Sequence, residues 1–307
     1  MPPGTTTRAG TLPQIPFAPH RFAFGYHRQT WWNWLIGTAF FSGEIGAGLF
    51  LVSLLTRNEL GVLVGYLIVM VGKNTAHLLY LGRPARFWRA AMRPDRSWIA
   101  RGTWSTGVLA VTGFLALFPG VLEPYWQLGA QSKVIIDTLA ALSALFIMFY
   151  DGFVMKASPS IPFWSTALLP VLCLTYAALG GTTLSLALGE LRGEAVPVLL
   201  MNAEYLFLVI NLLLLGGYLY LMTRRAPAAR ESVRLLLRGA YAFVFIGVVL
   251  LVGLAGTLLF SFVHTWTQWT WMIVLVAACE LTGDFALLMV LLKSGVFSPQ
   301  TAPAYRV

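Results

Sequence analysis

Ionisable side chains interrupt one of the long apolar stretches of this sequence at helical spacing. Lys73, His77 and Tyr80 follow one another at i, i+4 and i+7, so they lie on one face of a helix whose remaining residues are mostly apolar. An ionisable group inside a bilayer costs about 2.5 to 3.5 kcal/mol on insertion scales, so this face is predicted to point into protein. An imidazole placed there can exchange protons with a bound ligand.

Acidic side chains fall within other apolar stretches. Asp137 and Asp151 lie on nearly the same face of one predicted helix, and Glu280 and Asp284 stand at i, i+4 in another. Two carboxylates so close repel each other when both are charged, so one of them is expected to be protonated much of the time. These acids fit either a proton relay or a hydrogen-bonded structural interior. The candidates for a proton path are Glu44, Lys73, Asp137, Glu204, Glu280 and Asp284.

Glu44 and Lys73 reach similar depths in the first two predicted helices. An ion pair between them is therefore expected, and it fits a structural link between two helices as well as it fits proton movement. In the first helix, small residues share a face with Glu44, which predicts close approach of a second helix. These are Gly37 and Gly48.

The segment that follows Tyr80 is strongly basic and aromatic. Its arginines are interleaved with Phe87, Trp88 and Trp98, a composition typical of a membrane-surface segment that contacts anionic lipid, an acidic partner or both. The arginines are Arg83, Arg86, Arg89, Arg93, Arg96 and Arg101.

Long apolar runs must position these groups. The chain is 58% hydrophobic and 11% charged, a composition that indicates a polytopic, all-α membrane protein. We predict a segment outside the membrane at 1–30, a transmembrane domain at 31–293 with eight helices in two four-helix bundles, and a tail at 294–307. The predicted spans are Trp31–Leu55, Leu60–Tyr80, Thr103–Leu122, Ser132–Met155, Phe163–Leu188, Val198–Met222, Arg238–Val263 and Trp269–Leu292.

Eight spans place both termini on one side of the membrane. That side carries most of the Lys and Arg, from Arg8 and Arg21 near the start to Arg306 near the end, and the positive-inside rule makes it cytoplasmic. A basic loop that exists to bind a partner would contribute to this bias without reporting on topology. The predicted location is the inner membrane of a prokaryotic cell.

The cysteines and histidines limit the cofactors expected in this chain. Cys173 and Cys279 are isolated, so they cannot supply the four thiolates of a usual iron–sulfur cluster. Among the histidines, only His27 and His77 could approach a common depth, and a haem normally needs two facing axial ligands. We therefore expect neither a haem nor an iron–sulfur cluster here.

Several motifs of this chain resemble the NrfD/PsrC family, the membrane subunits of polysulfide-reductase-type complexes. The resemblance lies in the runs 77–88 (HLLYLGRPARFW) and 93–104 (RPDRSWIARGTW), in Tyr150-Asp-Gly-Phe with the following Ile161-Pro-Phe-Trp-Ser-Thr and Leu169-Pro, and in Gly43-x-x-Gly46 of the first helix. It covers most of the chain and matches the final helix more loosely.

The resemblance implies a haem-free membrane anchor that binds a quinone, either menaquinone or ubiquinone, beside an iron–sulfur partner of ferredoxin type. That partner would exchange electrons with a molybdopterin-type catalytic subunit. Tyr150 matches a tyrosine associated with the quinone site, and Asn33 matches a polar position of the first helix. Ile36 stands where some members have a histidine, so His77 is the candidate to bond the quinone instead.

Together, the residues and the resemblance predict a quinone-reacting subunit of an oxidoreductase. The predicted quinone site comprises His77, Tyr150, Asp151, Asn33, Tyr80 and Arg83. The predicted docking surface comprises Arg86, Arg89, Arg93, Arg96, Trp98 and Arg101.

Two other functions are alternatives to a quinone-reacting subunit. An ion-coupled secondary transporter would show helices interrupted at matching positions in two halves, whereas Gly180-Gly181 and Gly216-Gly217 form no such pair. A pure membrane anchor would hold a redox partner without binding quinone.

Overall fold

A computed structural model of the chain describes residues 26–119, 129–194 and 197–298, and these residues are mainly helical. The predicted terminal segments, with Arg8, Arg21 and Arg306, therefore lie mostly outside the described residues. The α-helices are α1 (Trp34–Thr56), α2 (Glu59–Leu67), α3 (Asn74–Tyr80), α4 (Trp98–Leu117), α5 (Ala130–Lys156), α6 (Leu168–Leu191), α7 (Val198–Arg224), α8 (Pro227–Leu237), α9 (Thr257–Thr267) and α10 (Thr270–Lys293).

Three further helical segments connect these elements. A π-helical segment, Ile68–Lys73, joins α2 to α3 in one continuous span, and a second, Val244–Gly256, leads directly into α9. A 3-10 helix, Pro84–Ala91, lies in the basic segment between α3 and α4. Mid-span π-helical turns are rare and frequently occur at functional sites.

Seven helical stretches of the described chain are long and apolar enough to cross a membrane. They match seven of the predicted spans, and they make the chain an all-helical, multi-pass membrane protein. The third predicted span corresponds to α4, which is not among the seven because Arg101 and several hydroxyl side chains lower its hydropathy. Residues 120–122 of that predicted span lie outside the described ranges. The seven stretches are α1, Glu59–Tyr80, α5, α6, α7, Val244–Thr267 and α10.

Glycines let α1 pass close to its neighbours. A Cβ atom at Gly46 would lie 2.8 Å from Ile68 of the π-helical segment, and one at Gly48 would collide with the carbonyl oxygen of Ala177 in α6. The glycine-rich crossing predicted for the first helix is therefore present. Close backbone contact of this kind is the usual way in which membrane helices gain packing energy.

Both described ends of the chain meet at one end of the molecule. The backbone N–H of Gln29 donates to Gly295 O at 2.8 Å, and that of Phe297 donates to His27 O at 2.8 Å. The Tyr80 hydroxyl, at the end of the second span, donates to Trp31 O at 3.1 Å. We call this the basic end, since residues 81–97 with their arginines also follow here, and we call the opposite end the distal end.

Candidate functional site

A cavity of about 520 Å³ opens at the basic end, between α1, the second span, α4 and α5. Small-molecule sites commonly have volumes of about 300–1,000 Å³ and apolar walls with a few polar groups. This cavity has that character. Its polar lining includes Lys73, Asn74, His77, Tyr80 and Tyr150.

Three of these side chains form a hydrogen-bonded chain. The Lys73 ammonium donates to the Tyr150 hydroxyl oxygen at 2.8 Å. His77 Nδ1 lies 3.1 Å from the Lys73 carbonyl oxygen, and because a carbonyl only accepts, Nδ1 must carry the ring proton. His77 Nε2 is then an acceptor, 3.5 Å from the Tyr150 hydroxyl. The Tyr150 proton is thus directed at His77. Two of the three Lys73 N–H donors are not used in the hydrogen bond to Tyr150.

Neighbouring elements fix the Tyr150 ring in position. Gly102 of α4 lies against it so closely that a Cβ atom there would come within 2.5 Å of the ring. Phe40 of α1 packs near both Tyr150 and His77, with ring centroids 6.2 Å and 6.1 Å away. Gly43 leaves room for the stem of Lys73, whose Cδ would lie 3.1 Å from an added Cβ. The site therefore depends on small residues in two helices.

Asp151 lies behind this chain and does not line the cavity. It is completely buried, and neither carboxylate oxygen has a hydrogen-bond partner among the described residues. Its Oδ2 atom would lie 3.7 Å from a Cβ at Gly43, beside the Lys73 stem. A buried acceptor without a donor calls for a water molecule or a proton of its own. Asp151 is thus a buried carboxyl group beside the Lys73 stem and outside the cavity.

The predicted ion pair between Glu44 and Lys73 is wrong. Within the described part of the chain, no carboxylate oxygen lies within 4.0 Å of the Lys73 nitrogen, because the ammonium is turned toward Tyr150. Glu44 instead borders a small cavity of about 20 Å³, which is room for one water molecule. Cys173, Tyr176 and Asp284 border the same cavity. A single water there can connect Glu44 with Asp284.

Thr183 links the next two acids. Its hydroxyl lies 3.1 Å from Glu204 Oε1 and is also hydrogen-bonded to Glu280 Oε2. A hydroxyl has one proton and donates to only one of the two carboxylates. The other bond requires a proton on the carboxyl group itself, so Glu204 and Glu280 hold at least one proton between them. Asp284 lies one helical turn from Glu280.

At the distal end, the His264 Nε2 atom lies 2.7 Å from Glu190 Oε2, and both side chains are mostly buried. A cavity of about 10 Å³ separates this pair from Glu204, with Ser261 at its edge. Glu204, Glu280 and Asp284 are therefore brought into one series, which continues toward Glu44. Sequence reasoning missed Glu190 and Thr183: Glu190 ends an apolar run, whereas a threonine in a helix gives no signal.

Asp137 is not part of this series. It pairs with Lys133 at 3.3 Å, at a partly exposed position in the first turns of α5.

The structure separates the six predicted quinone-site residues into two groups. His77, Tyr150 and Tyr80 line the cavity, whereas Asp151 lies behind it. Asn33 does not line it, because its side chain accepts the Leu35 N–H at 2.9 Å and caps α1. Arg83 is exposed and is also absent from the lining. Lys73, predicted only for the proton path, and Asn74, which was not predicted, do line it.

The predicted docking surface is divided in the same way. Arg101 donates to Pro94 O and Asp95 O and packs over the Trp98 ring, 4.4 Å from its centroid. Trp98 in turn stacks on Phe153 at 4.2 Å. These two residues hold the basic segment against α4 and α5, and are not free for a partner. The exposed arginines are Arg86, Arg89, Arg93 and Arg96.

The 3-10 helix that carries the first of these arginines also forms a wall of the cavity. Phe87 and Ala90 line the cavity, whereas Arg86 and Arg89 of the same helix are exposed. A protein docked on the arginines would therefore be separated from the cavity by a single short helix.

Comparison with known proteins identifies one family. The family model described as polysulphide reductase, NrfD, matches residues 24–299, which is nearly the whole chain. Among curated proteins, none matches the chain.

Proposed function

Because this chain belongs to the polysulphide reductase NrfD family, a family of membrane subunits of oxidoreductase complexes, we propose that it is the subunit that reacts with quinone. In this role it exchanges electrons between a menaquinone or ubiquinone pool and an iron–sulfur partner subunit. The partner passes them to or from a molybdopterin-type catalytic subunit.

The observation that carries the proposal is the 520 Å³ cavity with the Lys73–Tyr150–His77 chain at its polar end. A quinone takes up two electrons and two protons, one proton at each ring oxygen, on becoming a quinol. The Lys73 ammonium has donors available for such an oxygen, and Tyr150 can pass its proton on and recover one through its neighbours. The mostly apolar cavity wall suits the remainder of a lipid-soluble molecule.

We extend the proposal to proton movement through the buried acids. Asp151 supplies the Lys73–Tyr150 pair, and the water-sized cavity between Glu44 and Asp284 leads to Glu280, Thr183 and Glu204. The Glu190–His264 pair completes the series at the distal end. The support is the series of neighbouring groups from Glu44 to the Glu190–His264 pair, since titratable groups are costly to keep in a membrane without a use. Asp137 is not needed for this route.

We also propose that α4 is the eighth crossing. Trp98 at its start stacks on Phe153 near the end of α5, and Ser105 further along donates to Ser143 O at 3.0 Å, so the two helices run antiparallel over most of their length. The start of α1 and the end of α10 meet at the basic end, and this requires an even number of crossings. With α4 included, the proposed number of spans is eight.

The exposed arginines support a docking site for an acidic partner surface at the basic end. Lys156 in the last turn of α5 and Lys293 in the last turn of α10 lie at the same end but outside this segment. With the positive-inside rule, these two charges support a cytoplasmic position for this end, in the inner membrane of a prokaryotic cell. Electrons from a docked cluster would then enter beside the cavity.

The test uses the intact complex that contains this chain. Tyr150→Phe and His77→Ala should each lower quinol-linked turnover by about 100-fold, the usual contribution of a positioned proton donor or acceptor. Reaction of the catalytic subunit with a soluble redox dye should not change. Tyr220→Phe, at an exposed position of α7, is the matched control.

Wild-type turnover and quinone affinity in both variants would refute the site. A purified wild-type complex that contains no quinone and does not react with quinol would instead indicate a pure membrane anchor.

A further inference from the structure

The cavity continues well beyond its polar end along one face of α4. The residues that line it there are Ile99, Gly102, Thr103, Thr106, Gly107 and Ala110. Their spacing places them on a single helical face, and most of them are small. From Gly102, at the level of Tyr150, to Ala110 this face is about 12 Å long at 1.5 Å per residue. A quinone ring bound at Tyr150 would leave most of this length unfilled.

Gly107 marks the open part of this face. A Cβ atom at Gly107 would have no atom within 4 Å, whereas one at Gly102 would collide with the Tyr150 ring. The two glycines are little more than one turn apart on the same helix. Gly102 is therefore a packing glycine at the polar end, and Gly107 borders empty space.

The rim of the cavity between the second span and α4 is exposed and, among the described residues, has no charged side chain. Leu78 near the end of the second span is 37% exposed, Gly107 of α4 is also exposed, and both line the cavity. In a membrane-spanning region, an exposed apolar rim faces lipid and not water. The cavity thus opens sideways into the bilayer, between the second span and α4.

We propose that this face of α4 is the groove for a polyisoprenoid tail, and that the ligand enters and leaves through the opening between α4 and the second span. The proposal rests on the proposed quinone function and makes it more specific. The ring is held by Lys73, Tyr150 and His77, and the tail lies past Thr103 and Gly107. Gly107 is then a specificity-determining residue, because its missing side chain leaves the path of the tail open.

The test compares quinols with the same ring and different tails in the intact complex. Gly107→Leu should raise the KM for a quinol with a polyisoprenoid tail about tenfold, within the range for filling an apolar pocket by a few carbon atoms. The KM for a tail-less quinol should change less than about twofold. Gly216→Leu is the matched control, since Gly216 of α7 is also exposed and has no atom near an added Cβ.

A second variant tests the same groove closer to its polar end. Thr103 lies one turn closer to the polar end, about 6 Å from Gly107 along the axis. Thr103→Leu should therefore raise the KM for a quinol with a short tail as well as for one with a long tail. Gly107→Leu should leave the KM for the short-tailed quinol unchanged.

The outcomes separate the two proposals. Equal KM changes for long-tailed and tail-less quinols, or no change for either in both variants, would overturn the groove while leaving the quinone function in place. A wild-type complex that oxidises neither quinol would overturn the quinone function, and the groove with it.

Discussion

Two buried polar regions at opposite ends of this protein use similar side chains in very different amounts of space. At the basic end, His77 and Tyr150 border a cavity of about 520 Å³. At the distal end, His264 and Glu190 border one of about 10 Å³. The first volume suits an organic ligand and the second suits about one water molecule. A buried imidazole with a hydrogen-bonding neighbour therefore does not indicate what a site does until the space beside it is known.

The two regions also differ in how their donors are used. Nε2 of the distal imidazole lies 2.7 Å from a carboxylate oxygen, so this nitrogen already has a partner within the protein. At the basic end, the Lys73 ammonium has one hydrogen bond, to a phenol, and the nearest acid stands behind it. The Lys73 donors face a cavity large enough for a ligand, whereas the distal pair borders space for about one water molecule.

The largest expected effect follows from removing the cation at the basic end. Lys73→Met keeps the length of the side chain but leaves Tyr150 without its donor and the cavity without its ammonium. Quinol-linked turnover of the complex should fall by about 100-fold or more. Lys133→Met, at an exposed position of α5, should have no such effect. Turnover above one third of the wild-type rate would show that the Lys73 cation is not what enables the basic end to react with quinol.

A smaller effect is expected from crowding the same site without removing a polar group. Gly102→Ala would place a methyl group against the Tyr150 ring, so the hydroxyl must move from its position between Lys73 and His77. Misplaced reacting groups cost up to about 100-fold in rate, and we expect about tenfold here, measured as kcat for quinol. The same exchange at Gly216 adds a methyl group in open space and serves as the control. Equal rates in the two variants would mean that the position of Tyr150 is not critical.

The smallest effect on turnover is expected from the series that leads to the distal end. Thr183→Val removes the hydroxyl between Glu204 and Glu280 and keeps the shape of the side chain. Turnover with quinol should stay within about threefold of wild type, while proton movement in sealed vesicles, followed with a pH-sensitive dye, should decrease strongly.

Thr182→Val is the control, because the Thr182 hydroxyl donates only to Ala178 O of its own helix. Unchanged proton movement in the Thr183 variant would remove Thr183 from the route.

The sequence predicted much of the architecture, since long apolar runs determine where helices cross a membrane. It also predicted that Lys73, His77 and Tyr80 share an inward face, because this follows from helical spacing alone. The pairing of Glu44 with Lys73 was wrong because equal depth says nothing about the direction in which each side chain points. Asn33 had a recognisable alternative role, since Asn directly before an apolar helix is a usual N-cap.

Other parts of the site could not be predicted from local patterns. The cavity is formed between helices that are distant in sequence. Its open face depends on residues such as Gly107, and a glycine in an apolar helix gives no sequence signal for a ligand site. Trp98 and Arg101 looked like docking residues because a basic, aromatic segment has the same composition whether its side chains face a partner or hold the segment in place. The stacking of Trp98 on Phe153 and the hydrogen bonds of Arg101 to Pro94 O and Asp95 O distinguish the two.

The π-helical segment Ile68–Lys73 makes the orientation of His77 depend on the number of residues in the second span. In an α-helix, each step of four residues overshoots a full turn by about 40°, whereas a π-helical turn takes in more residues and brings the series back. Residues four apart therefore keep facing α1 over the whole span, in the pairs Gly61 with Ser53, Gly65 with Phe50, Val69 with Gly46, Lys73 with Gly43 and His77 with Phe40. Deleting one residue from this segment would turn His77 by about 100° relative to the residues before it, out of the cavity, while the span could still cross the membrane.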